Sequence, residues 1–203
     1  MHPQIYFWII LLSITFIVII CDRRYDMLRD ISKAKPKPYS WSRVQLAWWT
    51  IIVLSSFIAI LISHQQAPNL SQSTVVLIGI SAATIAAGNV IDISDIKNPS
   101  ISLRGQDEPG TNFFLDILSD SSGVSICRFQ TVIFNFVFGV WFINSVLSHI
   151  SSSAINDVMP EFGNNSLILL GLSSATYAAL KTTENKAGEK IKLSTIPDVG
   201  AAG

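Results

Sequence analysis

Charged residues are scarce in this chain, and their scarcity excludes an ordinary soluble domain. Only 14% of its 203 residues are charged, whereas a soluble domain usually carries about 25%. Long apolar runs account for the deficit, and a spanning helix needs roughly 17–25 such residues. We find five runs, of which the last is the shortest: 5–21, 46–63, 74–91, 129–148 and 166–180. The sequence therefore predicts an all-α integral membrane protein with five transmembrane helices.

Cysteines and catalytic motifs are scarce as well. The two cysteines, Cys21 and Cys127, both lie at the predicted cytoplasmic ends of helices, where reduced thiols are expected and a disulfide is not. The chain has no phosphate-binding glycine loop, no His-Glu-x-x-His motif and no paired cysteines. No acidic residue lies deep in a predicted span, which argues against a proton relay or an ion pump. We therefore predict a non-enzymatic protein with no catalytic residues, no cofactor and no metal.

The positive charges are segregated along the chain. If the N-terminus is placed outside and five spans are threaded, all 14 Lys and Arg residues fall on one side, in 22–43, 92–128 and 181–203. Lys and Arg accumulate on the cytoplasmic side of inserted helices. The first apolar run lacks a basic leader and a small-residue cleavage site, so we interpret it as an uncleaved span. The predicted orientation has the N-terminus outside and the C-terminus in the cytoplasm.

A pattern of polar and small residues occurs twice. Ser40, Arg43, Gln45 and His64 recur 85 residues later as Ser125, Arg128, Gln130 and His149. A second block, Pro68, Gly79, Ser81, Ala83, Thr84 and Ala87, recurs at an offset of 92 as Pro160, Gly171, Ser173, Ala175, Thr176 and Ala179. The pattern predicts two membrane hairpins that are parallel repeats, related by an axis along the membrane normal rather than by inversion.

The repeats divide the chain into six parts. We predict an N-terminal helix (1–21), a basic connector (22–39), a first hairpin (40–92), a loop with an interfacial helix at Phe113–Asp120 (93–124), a second hairpin (125–181) and a polar tail (182–203). Apolar and acidic residues alternate at helical spacing in the predicted interfacial helix, which is typical of a helix lying in the membrane surface.

Small residues recur every four positions in the third and fifth spans. They are Gly79, Ala83 and Ala87, and then Gly171, Ala175 and Ala179. Small residues on one helix face let backbones approach closely in lipid, so we predict helix packing at these positions. The alternative is a conduction path lined by the neighbouring hydroxyl groups.

Polar residues frame the second and fourth spans. Arg43 with Gln45, and Arg128 with Gln130, form an inner-interface repeat. An Arg at a helix end most often extends to lipid headgroups; the alternatives are an acidic partner within the chain or a specific ligand. His64 and His149 stand at the opposite ends, where we favour interfacial packing over a metal site or a pH switch.

Five segments carry a resemblance to a known group of proteins. They are Pro38–Trp49, Leu77–Thr84, Phe114–Asp120, Arg128–Gln130 and Leu170–Tyr177. With its repeated Ser-x-x-Arg-x-Gln and Gly-x-Ser-x-x-Thr motifs, the chain resembles a group of bacterial integral membrane proteins with no established activity, over about residues 38–181. The resemblance implies a bacterial inner membrane. Asn89, Lys181 and Cys127 depart from the group's pattern.

The charge layout favours one function over another. Every Lys and Arg lies on the predicted cytoplasmic side, so we predict a membrane anchor or scaffold subunit that binds protein partners there. The expected partner face comprises Phe113, Phe114, Asp116 and Asp120. The other expected partners are the lipid bilayer and further copies of the same chain in a homo-oligomer. No nucleic acid is expected. The alternative is a channel or pore subunit acting as a homo-oligomer.

Overall fold

The structure is a computed structural model that describes residues 2–97, 109–120, 123–151 and 158–194, with the side chains of Asp120 and of residues 183–194 left out. Within these residues, six helices follow one another: α1 (Pro3–Tyr25), α2 (Trp41–His64), α3 (Gln72–Lys97), α4 (Phe113–Leu118), α5 (Ile126–His149) and α6 (Asn164–Ser194). Two short antiparallel strands, β1 (Ser119–Asp120) and β2 (Gly123–Val124), connect α4 to α5. Gly123 has φ +108°, a conformation that glycine adopts without steric cost.

Among the described residues, four helices are long and apolar enough to cross a membrane: α1, α2, α3 and α5. The described residues are mostly helical, so the predicted helical membrane class agrees with the structure. The sixth helix does not belong to this set, because its apolar run lies between Asn165 and Lys181 and is too short. It nevertheless continues to Ser194, well into the segment predicted to be a polar tail.

The ends of the long helices lie together at two opposite ends of the bundle. At one end, called the basic end, the basic connector contacts the last turns of α3 and the middle of α6 through Lys181. At the other, called the histidine end, His64 Nε2 lies 3.0 Å from the carbonyl oxygen of Ile150. There Gln4 also donates to the Leu147 carbonyl at 3.2 Å. Successive long helices therefore run in opposite directions through the bundle.

The second helix lies at the centre and the first at the periphery. Trp49, Ile52 and Ile60 of α2 are fully buried and form one apolar core with residues of α3, α5 and α6. Of the 23 residues of α1, only Phe7 and Asp22 are buried. A helix that presents nearly all its apolar side chains outward needs an apolar surrounding, and lipid supplies it.

Candidate functional site

A buried ion cluster joins three separate parts of the chain at the basic end. The Lys181 Nζ atom of α6 lies 3.0 Å from Asp92 Oδ2 of α3 and 3.2 Å from Asp30 Oδ2 of the basic connector. Lys181 is 2% exposed and Asp92 1%. Gly88 lies beside the ammonium group, and a Cβ at this position would be in ordinary van der Waals contact with Lys181 Nζ, at 3.7 Å.

The cluster places two carboxylates against one ammonium group. Burial opposes the ionisation of Asp30, but the Lys181 charge and the hydrogen bonds to the carboxylate outweigh it and lower its pKa below the ordinary value. Asp92 Oδ1 has no hydrogen-bond partner among the residues that the structure describes. Loss of Lys181 would leave buried carboxylates without a counter-charge, which is strongly destabilising. The arrangement thus fixes the connector to the helices.

A second polar network lies deeper in the bundle. Gln45 Nε2 donates to Asn135 Oδ1 and to Ser174 Oγ, both at 3.1 Å. Trp49 Nε1 donates to the same Asn135 oxygen at 2.7 Å, and Trp48 Nε1 donates to the Asn135 carbonyl at 3.1 Å. Three helices, α2, α5 and α6, are joined in this way. These donors and acceptors are bonded to one another, which offsets the cost of burying them in an apolar surrounding. Gln45 Oε1 is buried without a hydrogen-bond partner among the residues that the structure describes.

The basic connector is an ordered segment, closed on itself by hydrogen bonds. Arg29 donates to the Lys37 carbonyl at 2.7 Å and to the Tyr39 hydroxyl at 3.0 Å, and its guanidinium carbon lies 4.4 Å from the centre of the Tyr39 ring. Asp26 pairs with Lys37 at 3.1 Å. Together with the Asp30–Lys181 contact, these bonds give the connector a defined position on the bundle.

The predicted partner face divides in the structure. Asp116 accepts from the Tyr39 amide at 3.2 Å, and the Phe113 ring packs edge-on against Tyr39 at 5.1 Å. These two residues therefore hold α4 on the basic connector. Phe114 points outward and is 70% exposed. The side chain of Asp120 lies outside the described residues, and its backbone pairs with Gly123.

The small-residue ladders do not form the packed faces of α3 and α6 in this chain. Gly79, Ala83, Ala175 and Ala179 are exposed, and Ala87 and Gly171 are half-buried. No described atom lies within 4 Å of a Cβ built at Gly79, whereas a Cβ at Gly171 would lie 3.7 Å from Ile80 Cδ1. The close approach predicted at Gly79 is thus not found within the chain. The packed face of α3 carries its hydroxyl groups instead, at Ser81 and Thr84.

The inner-interface repeat is also unequal in its two copies. Gln45 is buried in the polar network, whereas Gln130 is exposed. Arg43 lies 3.5 Å from the Met27 carbonyl, and Arg128 lies 5.3 Å from the centre of the Tyr177 ring. Both arginines therefore have contacts within the chain. His149 bonds the carbonyl of its own helix at Ser145, at 2.8 Å.

Sequence reasoning missed the ion cluster and the role of Asn135. Lys181 stood out only as a departure from the pattern of the resembling group, and Asp92 as one of several acids near a helix end. An opposite pair of charges at the same end of two apolar helices was the available signal. For Asn135, the signal was a lone amide in a span, which needs a partner in lipid.

Two open cavities line one side of the α5–α6 hairpin. The first, of about 230 Å³, is lined by Cys127, Gln130, Thr131, Leu169, Leu172, Ser173 and Thr176. The second, of about 380 Å³, lies towards the histidine end and is lined by Val137, Phe138, Trp141, Glu161, Gly163 and Ser166.

No protein-family model, curated protein or solved structure matches the chain.

Proposed function

We propose that the protein is a non-enzymatic membrane anchor or scaffold whose basic end binds cytoplasmic proteins. The observation that carries the proposal is the ordered platform at this end. Lys181 binds the basic connector to the helices, and Asp116 binds α4 to the connector. A surface held in one position loses little conformational entropy when a partner binds, and this favours affinity.

The exposed groups of the platform suit a protein partner. Arg23, Arg24 and Lys35 are exposed around the basic connector, and Phe114 is exposed beside it. Aromatic side chains are frequent anchors in protein interfaces, and surrounding charges orient the partner. The combination of exposed aromatic rings, at Phe114 and Tyr25, with a basic rim supports an acidic protein surface with an apolar pocket as the partner.

The proposed topology has five spans, with the first part of α6 as the fifth. Helices α2 and α5 are both 24 residues long, and both their first and their last residues are 85 positions apart. Helices α3 and α6 begin 92 positions apart. These coincidences support two parallel repeats. The segregation of Lys and Arg supports an N-terminus outside and a cytoplasmic C-terminus. A bacterial inner membrane is proposed on the resemblance alone.

Site-specific photo-crosslinking tests the scaffold proposal. A photoreactive phenylalanine replaces Phe114 in full-length protein in native membranes, and the same residue replaces Phe16, which is 64% exposed in the middle of α1, as the matched control. We expect protein adducts at position 114 and lipid adducts at position 16. Lipid adducts alone at both positions would overturn the scaffold proposal, because α4 would then be a membrane-surface helix without a partner.

A pore formed by self-association is the second candidate. Gln130 and Thr176 are exposed on α5 and α6, where a lipid-facing surface would ordinarily be apolar. Polar groups on one side of a hairpin can line a water-filled path when several copies meet. Conductance of the purified protein in planar bilayers tests this function, and bilayers that stay silent at all protein densities would exclude it.

A further inference from the structure

Residues at equivalent positions of the two hairpins lie in opposite environments. The groove face of a hairpin is defined by Ser42, Gln45, Ser81 and Thr84 in α2–α3, and by Cys127, Gln130, Ser173 and Thr176 in α5–α6. The first four are buried, and the second four are exposed or half-buried. The ridge face is defined by Thr50, Leu54, Ala82 and Asn89 in α2–α3, and by Asn135, Gly139, Ser174 and Lys181 in α5–α6. Here the first four are exposed or half-buried, and the second four are buried.

This pattern arises because the groove face of the first hairpin packs against the ridge face of the second. Gln45 on the groove bonds Asn135 and Ser174 on the ridge. Beside them, the Ile80 side chain meets Gly171. A contact between two different faces of like units is heterologous, and it leaves one face of each kind free. The free faces are the groove of α5–α6 and the ridge of α2–α3.

The free groove has the properties of an unfilled interface. It contains the open cavity of about 230 Å³, and the cavity of about 380 Å³ lies farther along the same hairpin, towards the histidine end. Leu172, on its border, is 64% exposed and stands at the position equivalent to Ile80. Gly79, the equivalent of Gly171, has no described atom within 4 Å of a Cβ built on it. Inside the chain, the Ile80 side chain packs on Gly171. The equivalent residues, Leu172 and Gly79, both lie on the surface without such a contact among the described residues.

We propose that the free groove of α5–α6 binds the free ridge of α2–α3 in a second copy of the chain, in the same way that the two hairpins bind each other. The proposal rests on the duplicated hairpins put forward above. Leu172 of one copy then packs on Gly79 of the next, and Gln130 faces Thr50 as Gln45 faces Asn135. Peripheral α1 leaves this ridge open, since Thr50, Leu54 and Ala82 are exposed. A heterologous contact of this kind, repeated from copy to copy, closes into a ring when its rotation closes and otherwise continues as an open assembly.

Cysteine cross-linking between copies tests the contact. Two differently tagged full-length chains, both with Cys21→Ser and Cys127→Ser, carry Gly79→Cys and Leu172→Cys respectively, and a short bismaleimide is applied to membranes. We expect a cross-linked dimer in the mixture and none with either variant alone. A dimer from Gly79→Cys alone would indicate a like-to-like contact and overturn the proposal.

An intrachain pair supplies the matched control. Ile80→Cys with Gly171→Cys in one chain should be cross-linked within that chain, so the product remains a monomer. This reaction shows that the reagent reaches this depth. If that pair reacts and the mixed copies do not, the proposal is wrong. These outcomes are independent of any partner captured at Phe114.

The mass of the purified protein in detergent gives a second measurement. Light scattering should give a multiple of 22.3 kDa for the parent and a single 22.3 kDa chain for Gly79→Leu. Since no described atom contacts that position, the variant should keep the parent's unfolding temperature when both are diluted in detergent to single chains, which separates lost association from lost folding. A parent that is a single chain in lipid nanodiscs would also overturn the proposal.

Discussion

Gln45 and Gln130 stand at the same position of two helices of equal length, yet their surroundings differ. Gln45 is 1% exposed and bonds Asn135 and Ser174, whereas Gln130 is exposed on an open groove. The difference is one of neighbours: the second hairpin covers the groove of the first, and nothing within the described chain covers the groove of the second. Like sequences thus acquire unlike environments when they pack through different faces.

The basic ends of the two hairpins differ in the same way. Lys181 lies buried between two carboxylates, and Asn89, at the equivalent position of α3, is half-buried. The charge therefore occurs on the hairpin whose ridge is covered. A buried Lys requires a counter-charge, and the connector and α3 supply it.

Removal of the buried Lys181 charge should give the largest difference in stability between equivalent positions of the two hairpins. Lys181→Met leaves Asp30 and Asp92 without a counter-ion, and we expect a loss of about 3–5 kcal/mol in the free energy of unfolding. The equivalent change, Asn89→Met, should cost less than about 1 kcal/mol. Denaturation in mixed micelles, followed by tryptophan fluorescence, measures both.

Neutralisation of the carboxylates provides the control for this experiment. The triple variant Lys181→Met, Asp30→Asn, Asp92→Asn should recover a part of the lost stability, since no unpaired charge is left. Equal stability of Lys181→Met and Asn89→Met would contradict the structural role of the cluster.

A smaller effect is expected where Gly139 meets Trp48. A Cβ at Gly139 would lie 2.5 Å from Trp48 Nε1, and the Trp48 ring is fixed by its bond to the Asn135 carbonyl. Gly139→Ala should therefore cost about 1–3 kcal/mol through overpacking. At the equivalent position, Leu54 is 42% exposed, and Leu54→Ala should change stability by about 0.5 kcal/mol or less. Thermal unfolding in detergent ranks the pair, and a neutral Gly139→Ala would refute the close contact.

The smallest effect concerns the glutamines themselves. Gln45→Leu removes two hydrogen bonds between helices, each worth about 0.6 kcal/mol in membrane proteins, so we expect a loss of about 1 kcal/mol. Gln130→Leu should leave the stability of the single chain unchanged within about 0.5 kcal/mol. Both are measured at detergent concentrations at which light scattering gives one chain per micelle. A larger loss for Gln130→Leu than for Gln45→Leu would reverse the assignment of the two faces.

Much of the fold was predictable from the sequence, and much of the site was not. Apolar length places α2 and α5 within a few residues of their observed bounds, because lipid requires a minimum run of apolar side chains. The packed faces were predicted less well. The ladder at Gly79 was expected at a contact, but the neighbouring Ser81 and Thr84 face the core. Small residues permit close packing without specifying the face on which it occurs.

By itself, the sequence determined the membrane class, the segregation of charge and the repeated positions, since each follows from local composition or spacing. Only the tertiary structure decided which copy of each position is buried. If the two hairpins are repeats, as proposed, they have the same faces, and the burial of each face depends on which neighbour covers it. The tertiary structure also decided that Lys181 meets Asp30, although 151 positions separate them in the sequence. A pairing of such separation depends on how α3, α6 and the basic connector come together, and no local pattern encodes that arrangement.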